Sequence, residues 1–94
     1  MTQTTLFIIA YDISNDKRRT KVHKALSGFG QWTQYSLFEC FLTPRQLVQL
    51  RARVESLIDS SEDSLRIYPL CANCVKRVET LGSAAPKDPD LFLV

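Results

Sequence analysis

Residues 5–29, TLFIIAYDISNDKRRTKVHKALSGF, change periodicity part-way, and that change decides the fold. Thr5–Asp12 (TLFIIAYD) is rich in large apolar and β-favouring residues and reads as a buried strand. Alternation along a strand puts Phe7, Ile9 and Tyr11 on one face and Leu6, Ile8, Ala10 and Asp12 on the other. Ser14, Asn15 and Asp16 then offer N-cap chemistry. A helix is predicted from there to about Phe29, because Val22, Ala25, Leu26 and Phe29 fall at i, i+3, i+4 and i+7 and make one apolar stripe. Gly28 and Gly30 end it.

Downstream, Gln31–Leu42 (QWTQYSLFECFL) is strand-like but long for one strand. It holds no Gly, Pro or Asn to mark a turn, and two strand pieces bent near Tyr35–Ser36 are expected. Thr43-Pro44-Arg45-Gln46 is a strong helix start, with Thr43 as cap, Pro44 at the first helical position and Gln46 completing a capping box. Leu47, Leu50, Val54, Leu57 and Ile58 give that helix its buried stripe. Ser60–Asp63 is a polar connection. Ser64–Leu70 reads as a strand in which Pro69 suits an edge or an end. Val75–Leu81 reads as a further short strand, Gly82–Asp90 as a linker, and Leu91–Val94 as an apolar patch that adds a strand to a sheet. The order β-α-β(β)-α-β-β predicts an α+β, ferredoxin-like βαββαβ domain over 1–82 with an extra C-terminal strand. Residues 83–94 then form a linker and strand packing on a partner subunit. This fold hosts many functions, so function has to come from the site.

Ninety-four residues make one domain, and one this small buries only roughly 60% of its unfolded surface, so it gains from oligomerising. Hydrophobic content of 45% and charged content of 23% are ordinary for a soluble globular protein. No apolar run approaches the roughly 18 residues of a membrane span, and no basic residue precedes Leu6–Tyr11, so a cytoplasmic protein is expected. Three cysteines without an export signal argue against a disulfide framework. Net charge is +2, but residues 1–58 carry eight Lys/Arg against four Asp/Glu, a balance of +4. Residues 59–94 carry four against six, a balance of −2. Lys17, Arg18, Arg19, Lys21 and Lys24 stand together without an acid among them. Such a cluster suggests an anion-binding surface, with nucleic acid as one candidate.

Asp12 is the first candidate for chemistry. A carboxylate at a strand end beside cations can hold Mg²⁺, be paired by Arg, or serve as a turn residue. One carboxylate is too little for a metal nuclease, and a two-fold axis near Asp12 would supply a second. Lys17, Lys21 and Lys24 lie at i, i+4 and i+7 on the helix, off the apolar stripe, where they form either a solvated face or a phosphate-contacting one. His23 beside the stripe reads as half-buried packing rather than a base. Cys71-Ala72-Asn73-Cys74 lacks the second ligand pair of a structural zinc site, and Cys40, Cys71 and Cys74 read as packing residues.

Together these motifs resemble the CRISPR-associated Cas-two family. The resemblance rests on Tyr11-Asp12-Ile13 followed by Asn15-Asp16-Lys17-Arg18-Arg19, and on Gly30, Gln34, Ser36, Leu37, Phe38 and Glu39. Thr43-Pro44 and Arg66-Ile67-Tyr68-Pro69-Leu70 extend it, so that it covers about residues 5–80. It implies a homodimer of ferredoxin-like domains, metal-dependent endonuclease activity on RNA or DNA, and partnership with the Cas-one integrase that inserts new spacers into CRISPR arrays. By resemblance Asp12 is the metal ligand for Mg²⁺ or Mn²⁺. Tyr11, Ser36 and Phe38 join Asp12 as catalytic candidates, and Arg19 and Lys21 match the family's basic residues. Trp32 departs from a basic residue found in some members, and its indole could stack on a base instead. Two readings share these features: a metal-dependent nuclease, and a scaffold that holds duplex DNA for the integrase without cutting it. A third, a ligand-binding regulatory module, lacks a Gly-rich loop.

Overall fold

The computed structural model describes residues 3–82. The change of periodicity after Asp12 is a change of element: strand β1 spans Thr5–Asp12 and helix α1 spans Asp16–Ser27. The cap is Asn15, whose backbone is extended and whose Oδ1 accepts the Arg18 N–H at 2.9 Å. The helix ends two residues short of Phe29. Gly28 and Phe29 turn their N–H groups back to Ala25 and Leu26, and Gly30 donates to Leu26 as well.

Strands β2, Gln31–Gln34, and β3, Leu37–Leu42, are the two pieces expected of the long strand-like segment. Their connection is Tyr35–Ser36, with Tyr35 at φ 47°. That left-handed region favours Gly and Asn, and neither is present. The Trp32 indole N–H compensates by donating to the Tyr35 carbonyl at 2.7 Å. Gly30 enters this hairpin where a Cβ would collide with Cys40 Sγ and the Glu39 backbone, so only glycine fits. Helix α2, Pro44–Glu55, starts with both bonds of the predicted capping box: Gln46 N–H to Thr43 Oγ1 at 3.2 Å and Thr43 N–H to Gln46 Oε1 at 2.9 Å. Strand β4 is Ser64–Leu70, and a short helix α3, Ala72–Lys76, follows it.

The sheet order is β2-β3-β1-β4, all neighbours antiparallel. This is the ferredoxin-like arrangement, with Pro69 in an edge strand as its missing N–H requires. Phe7, Ile9 and Tyr11 of β1, with Phe38, Cys40 and Leu42 of β3, meet Val22 and Leu26 of α1 and Leu50 and Val54 of α2 in one core. Leu47, Leu57, Ile58, Leu65 and Ile67 pack around it. The opposite face of the sheet carries Leu6, Ile8, Ala10 and Asp12, with Leu37, Glu39 and Phe41 on one side and Ser64, Arg66, Tyr68 and Leu70 on the other. Of these only Leu6 is fully buried.

The strand expected over Val75–Leu81 is absent. Cys71 has extended backbone and its Sγ accepts the Cys74 N–H at 3.4 Å, so it caps a helical turn instead. Val78 and Leu81 follow without regular structure and stand 41% and 98% exposed. Their strand propensity has no neighbouring strand beyond β4 to pair with among the described residues. The C-terminal strand expected at Leu91–Val94, and most of the linker before it, lie outside the described residues.

Candidate metal and nucleic-acid site

Asp12 closes β1 opposite Ser64 and is exposed on the face of the sheet away from α1 and α2. It does not cap α1, because Asn15 does. Nor does an arginine pair it: among the described residues the ion pairs are Arg18 with Glu62 and Asp63, and Arg19 with Asp16. No group of three or more His, Cys, Asp or Glu is placed to hold a metal among the described residues. Asp12 is therefore a single hard oxygen donor at a strand end. Mg²⁺ keeps several waters and takes one or two carboxylates, so this donor type suits it while a second carboxylate would complete the site.

Tyr11 points the other way and is 5% exposed. Its N–H donates to the Ser36 carbonyl at 3.1 Å, and its hydroxyl lies 3.2 Å from His23 Nδ1. Burial raises its pKa, opposed by the nearby Arg19 charge. The phenol therefore stays protonated, and the imidazole tautomer sets which partner donates in its bond to His23. Ser36 thus fixes the end of β1 through its backbone, one residue before Asp12. Phe38 needs correcting as a catalytic candidate: its ring is fully buried, edge-on to His23 at 5.1 Å and tilted against Tyr11 at 6.3 Å. A side chain with no exposed surface cannot touch a phosphodiester. It positions Tyr11 and His23, and His23 is the half-buried packing residue expected.

The basic cluster divides. Arg18 is engaged within the chain. Its Nε and Nη2 grip both oxygens of Asp63 at 2.7 and 3.1 Å, and Nη2 also donates to Glu62 at 2.8 Å. The Asp63 side chain has no exposed surface. Hydrogen bonding to Arg18, then to the Asp59 N–H, holds its carboxyl below the usual range. Arg19 ties down the turn after Asp12, donating to the carbonyls of Ile13 at 3.0 Å and Ser14 at 3.4 Å and pairing with Asp16. Lys17, Lys21 and Lys24 are exposed and enter no ion pair among the described residues. They are the free cations of α1.

The cysteines also divide. Cys40 is buried as expected, and desolvation, with the neighbouring Glu39 charge second, pushes its thiol up to about 12. Cys71 and Cys74 are exposed at the start of α3, with their sulfurs 3.3 Å apart, rather than packed.

The family model for "CRISPR associated protein Cas2" matches residues 5–78. The chain belongs to the Cas2 family. A Cas2 relative from Synechocystis, named CRISPR-associated endoribonuclease Cas2 1, is 40% identical over 93 residues, covering 95% of this chain and 99% of its own. Among solved structures, a hypothetical protein from Thermus thermophilus superposes with a TM-score of 0.79 at 41% identity, covering 89% of this chain and 99% of its own. A chain of a partial Cas6-RT-Cas1–Cas2 complex superposes with a TM-score of 0.69 at 28% identity, covering 86% of this chain and 97% of its own. These likenesses agree with the ferredoxin-like sheet order. No helix of the described residues is long and apolar enough to cross a membrane.

Proposed function

We propose that this Cas2 chain acts in CRISPR spacer acquisition as a homodimeric, metal-dependent endonuclease that cleaves phosphodiester bonds of RNA or DNA. The observation that carries the reading is Asp12, an exposed carboxylate at a strand end that does not cap α1 and pairs with no cation among the described residues. Its placement at the end of a sheet face rich in Leu, Ile and Phe supports a two-fold pairing that brings two such carboxylates together. In that arrangement Asp12 of both subunits would hold Mg²⁺ or Mn²⁺. The bound metal supplies Lewis-acid chemistry and a water of lowered pKa. The chain's own residues do the rest: Ser36 and Arg19 fix the backbone on either side of Asp12, and Lys17, Lys21 and Lys24 hold the phosphate backbone. Relatives named as endoribonucleases support the reaction class.

A second reading has its own support. The likeness to a chain of a partial Cas6-RT-Cas1–Cas2 complex, with no group of three or more metal-ligating side chains among the described residues, favours a scaffold that holds duplex DNA for a Cas1 partner without cutting it. The deciding experiment is cleavage of labelled RNA and DNA with Mg²⁺ or chelator, comparing wild type with Asp12→Asn. Cleavage that requires metal and disappears in Asp12→Asn, with duplex binding unchanged, supports the nuclease. Duplex and Cas1 binding with no cleavage at any metal concentration replaces it with the scaffold.

A further inference from the structure

Away from Asp12, a cleft of about 340 Å³ opens between α1 and the β2–β3 hairpin. Arg19, Thr20 and His23 form one wall, Trp32 and Tyr35 the other, and Tyr11 closes the base. Its lining is held in place. Tyr11 meets His23 Nδ1 at 3.2 Å, the Trp32 indole donates to the Tyr35 carbonyl at 2.7 Å, and His23 stands edge-on to Trp32 at 6.1 Å. Arg19 is fixed by the Ile13 and Ser14 carbonyls and by Asp16, leaving guanidinium donors unused.

Two features go beyond what folding requires. Trp32 is 50% exposed and Tyr35 is 87% exposed, so neither ring serves the core fully. Tyr35 also holds φ 47°, a conformation that costs a bulky residue energy and that Gly or Asn would adopt freely. Lys17 and Lys24 lie three before and four after Thr20, which places them on the helix surface beside the cleft wall. Aromatic platforms flanked by cations are the chemistry of single-strand binding. The volume stands near the low end of small-molecule sites, enough for one nucleotide and too small for a duplex.

We propose that this cleft takes the base of an unpaired nucleotide, stacked on Trp32, with the adjoining backbone phosphates at Lys17 and Lys24. This rests on the nucleic-acid reading above and adds a single-strand site to it. Trp32 is the only tryptophan in the chain, so its emission reports on the cleft directly. Full-length protein is titrated with oligothymidylate, oligouridylate, a strand of equal length made of abasic residues, and a blunt duplex. Affinities come from the anisotropy of labelled strands. The base-bearing strands are expected to quench Trp32 and bind roughly 5- to 150-fold more tightly than the abasic strand of equal charge. Oligouridylate against oligothymidylate tells RNA from DNA. Trp32→Leu should bind base-bearing and abasic strands equally, while Trp32→Phe keeps the preference. If Trp32→Leu fails to fold, the wild-type quenching and the Trp32→Phe arm decide alone. No quenching and equal affinity for base-bearing and abasic strands overturns the cleft while leaving lysine-dependent duplex binding intact. Absence of binding to every strand and to the duplex overturns both.

Discussion

Arg18 and Asp63 stand 45 positions apart and form a two-pronged ion pair whose carboxylate is sealed from solvent. Arg18 therefore joins the start of α1 to the connection before β4. From the sequence it was one of five cations in a run, indistinguishable from its neighbours. Only the return of the chain at Asp63 tells them apart, and that contact is invisible to local pattern. The consequence is a pH dependence of known sign. The Asp63 pKa is depressed in the folded state, so its contribution is fully present above the unfolded carboxylate value of about 3.9. It is lost as pH falls through the lower folded value. Urea midpoints should fall as pH drops below about 4 in wild type, and the acid limb should be shallower in Arg18→Gln. The same variant should leave the salt dependence of duplex binding unchanged. An Arg18→Gln protein with wild-type acid stability but weakened duplex binding would return Arg18 to the phosphate-contacting set.

At the scale of elements, α1 presents Lys17, Lys21 and Lys24 as free cations while Arg19 secures its entry. Replacing the three lysines with Glu should weaken duplex binding for every sequence. It should make the slope of log affinity against log salt shallower by about 3 if each lysine contacts one phosphate. Binding titrations at several salt concentrations check this, and an unchanged slope would reduce α1 to a solvated face. Elements governed by local chemistry were legible beforehand. Thr43, Pro44 and Gln46 specified the start of α2 by themselves, because a capping box closes within four residues. The apolar stripes of α1 and α2 specified their buried faces for the same reason. The Tyr35–Ser36 bend was legible only from excess length, since its strained turn uses no turn residue. Val75–Leu81 misled because strand propensity needs a neighbour, and the Cys71 cap offered the backbone a helical turn instead. Asp12 was legible as a candidate, but its lack of an ion-pair partner among the described residues was not.

For the whole molecule, the face bearing Leu6, Ile8, Leu37, Phe41 and Leu70 stands opposite the α1–α2 core, with Asp12 at its end. Glu39 sits within it opposite Ile8, and partial desolvation already raises its pKa. A second copy covering this face would bury apolar surface worth about 25 cal/mol per Å² and would bring the two Asp12 carboxylates toward one axis. Ile8→Glu, which sets a second carboxylate against Glu39, should therefore shift sedimentation from dimer to monomer and remove metal-dependent cleavage with it. A variant that stays dimeric at wild-type concentration would move the interface elsewhere. The central claim, one metal shared by two Asp12 side chains, is tested most directly by counting bound Mn²⁺ by electron paramagnetic resonance during titration of the intact protein. The expected result is half an equivalent per chain, lost in Asp12→Asn while the dimer persists. One equivalent per chain, or unchanged binding in Asp12→Asn, would contradict it.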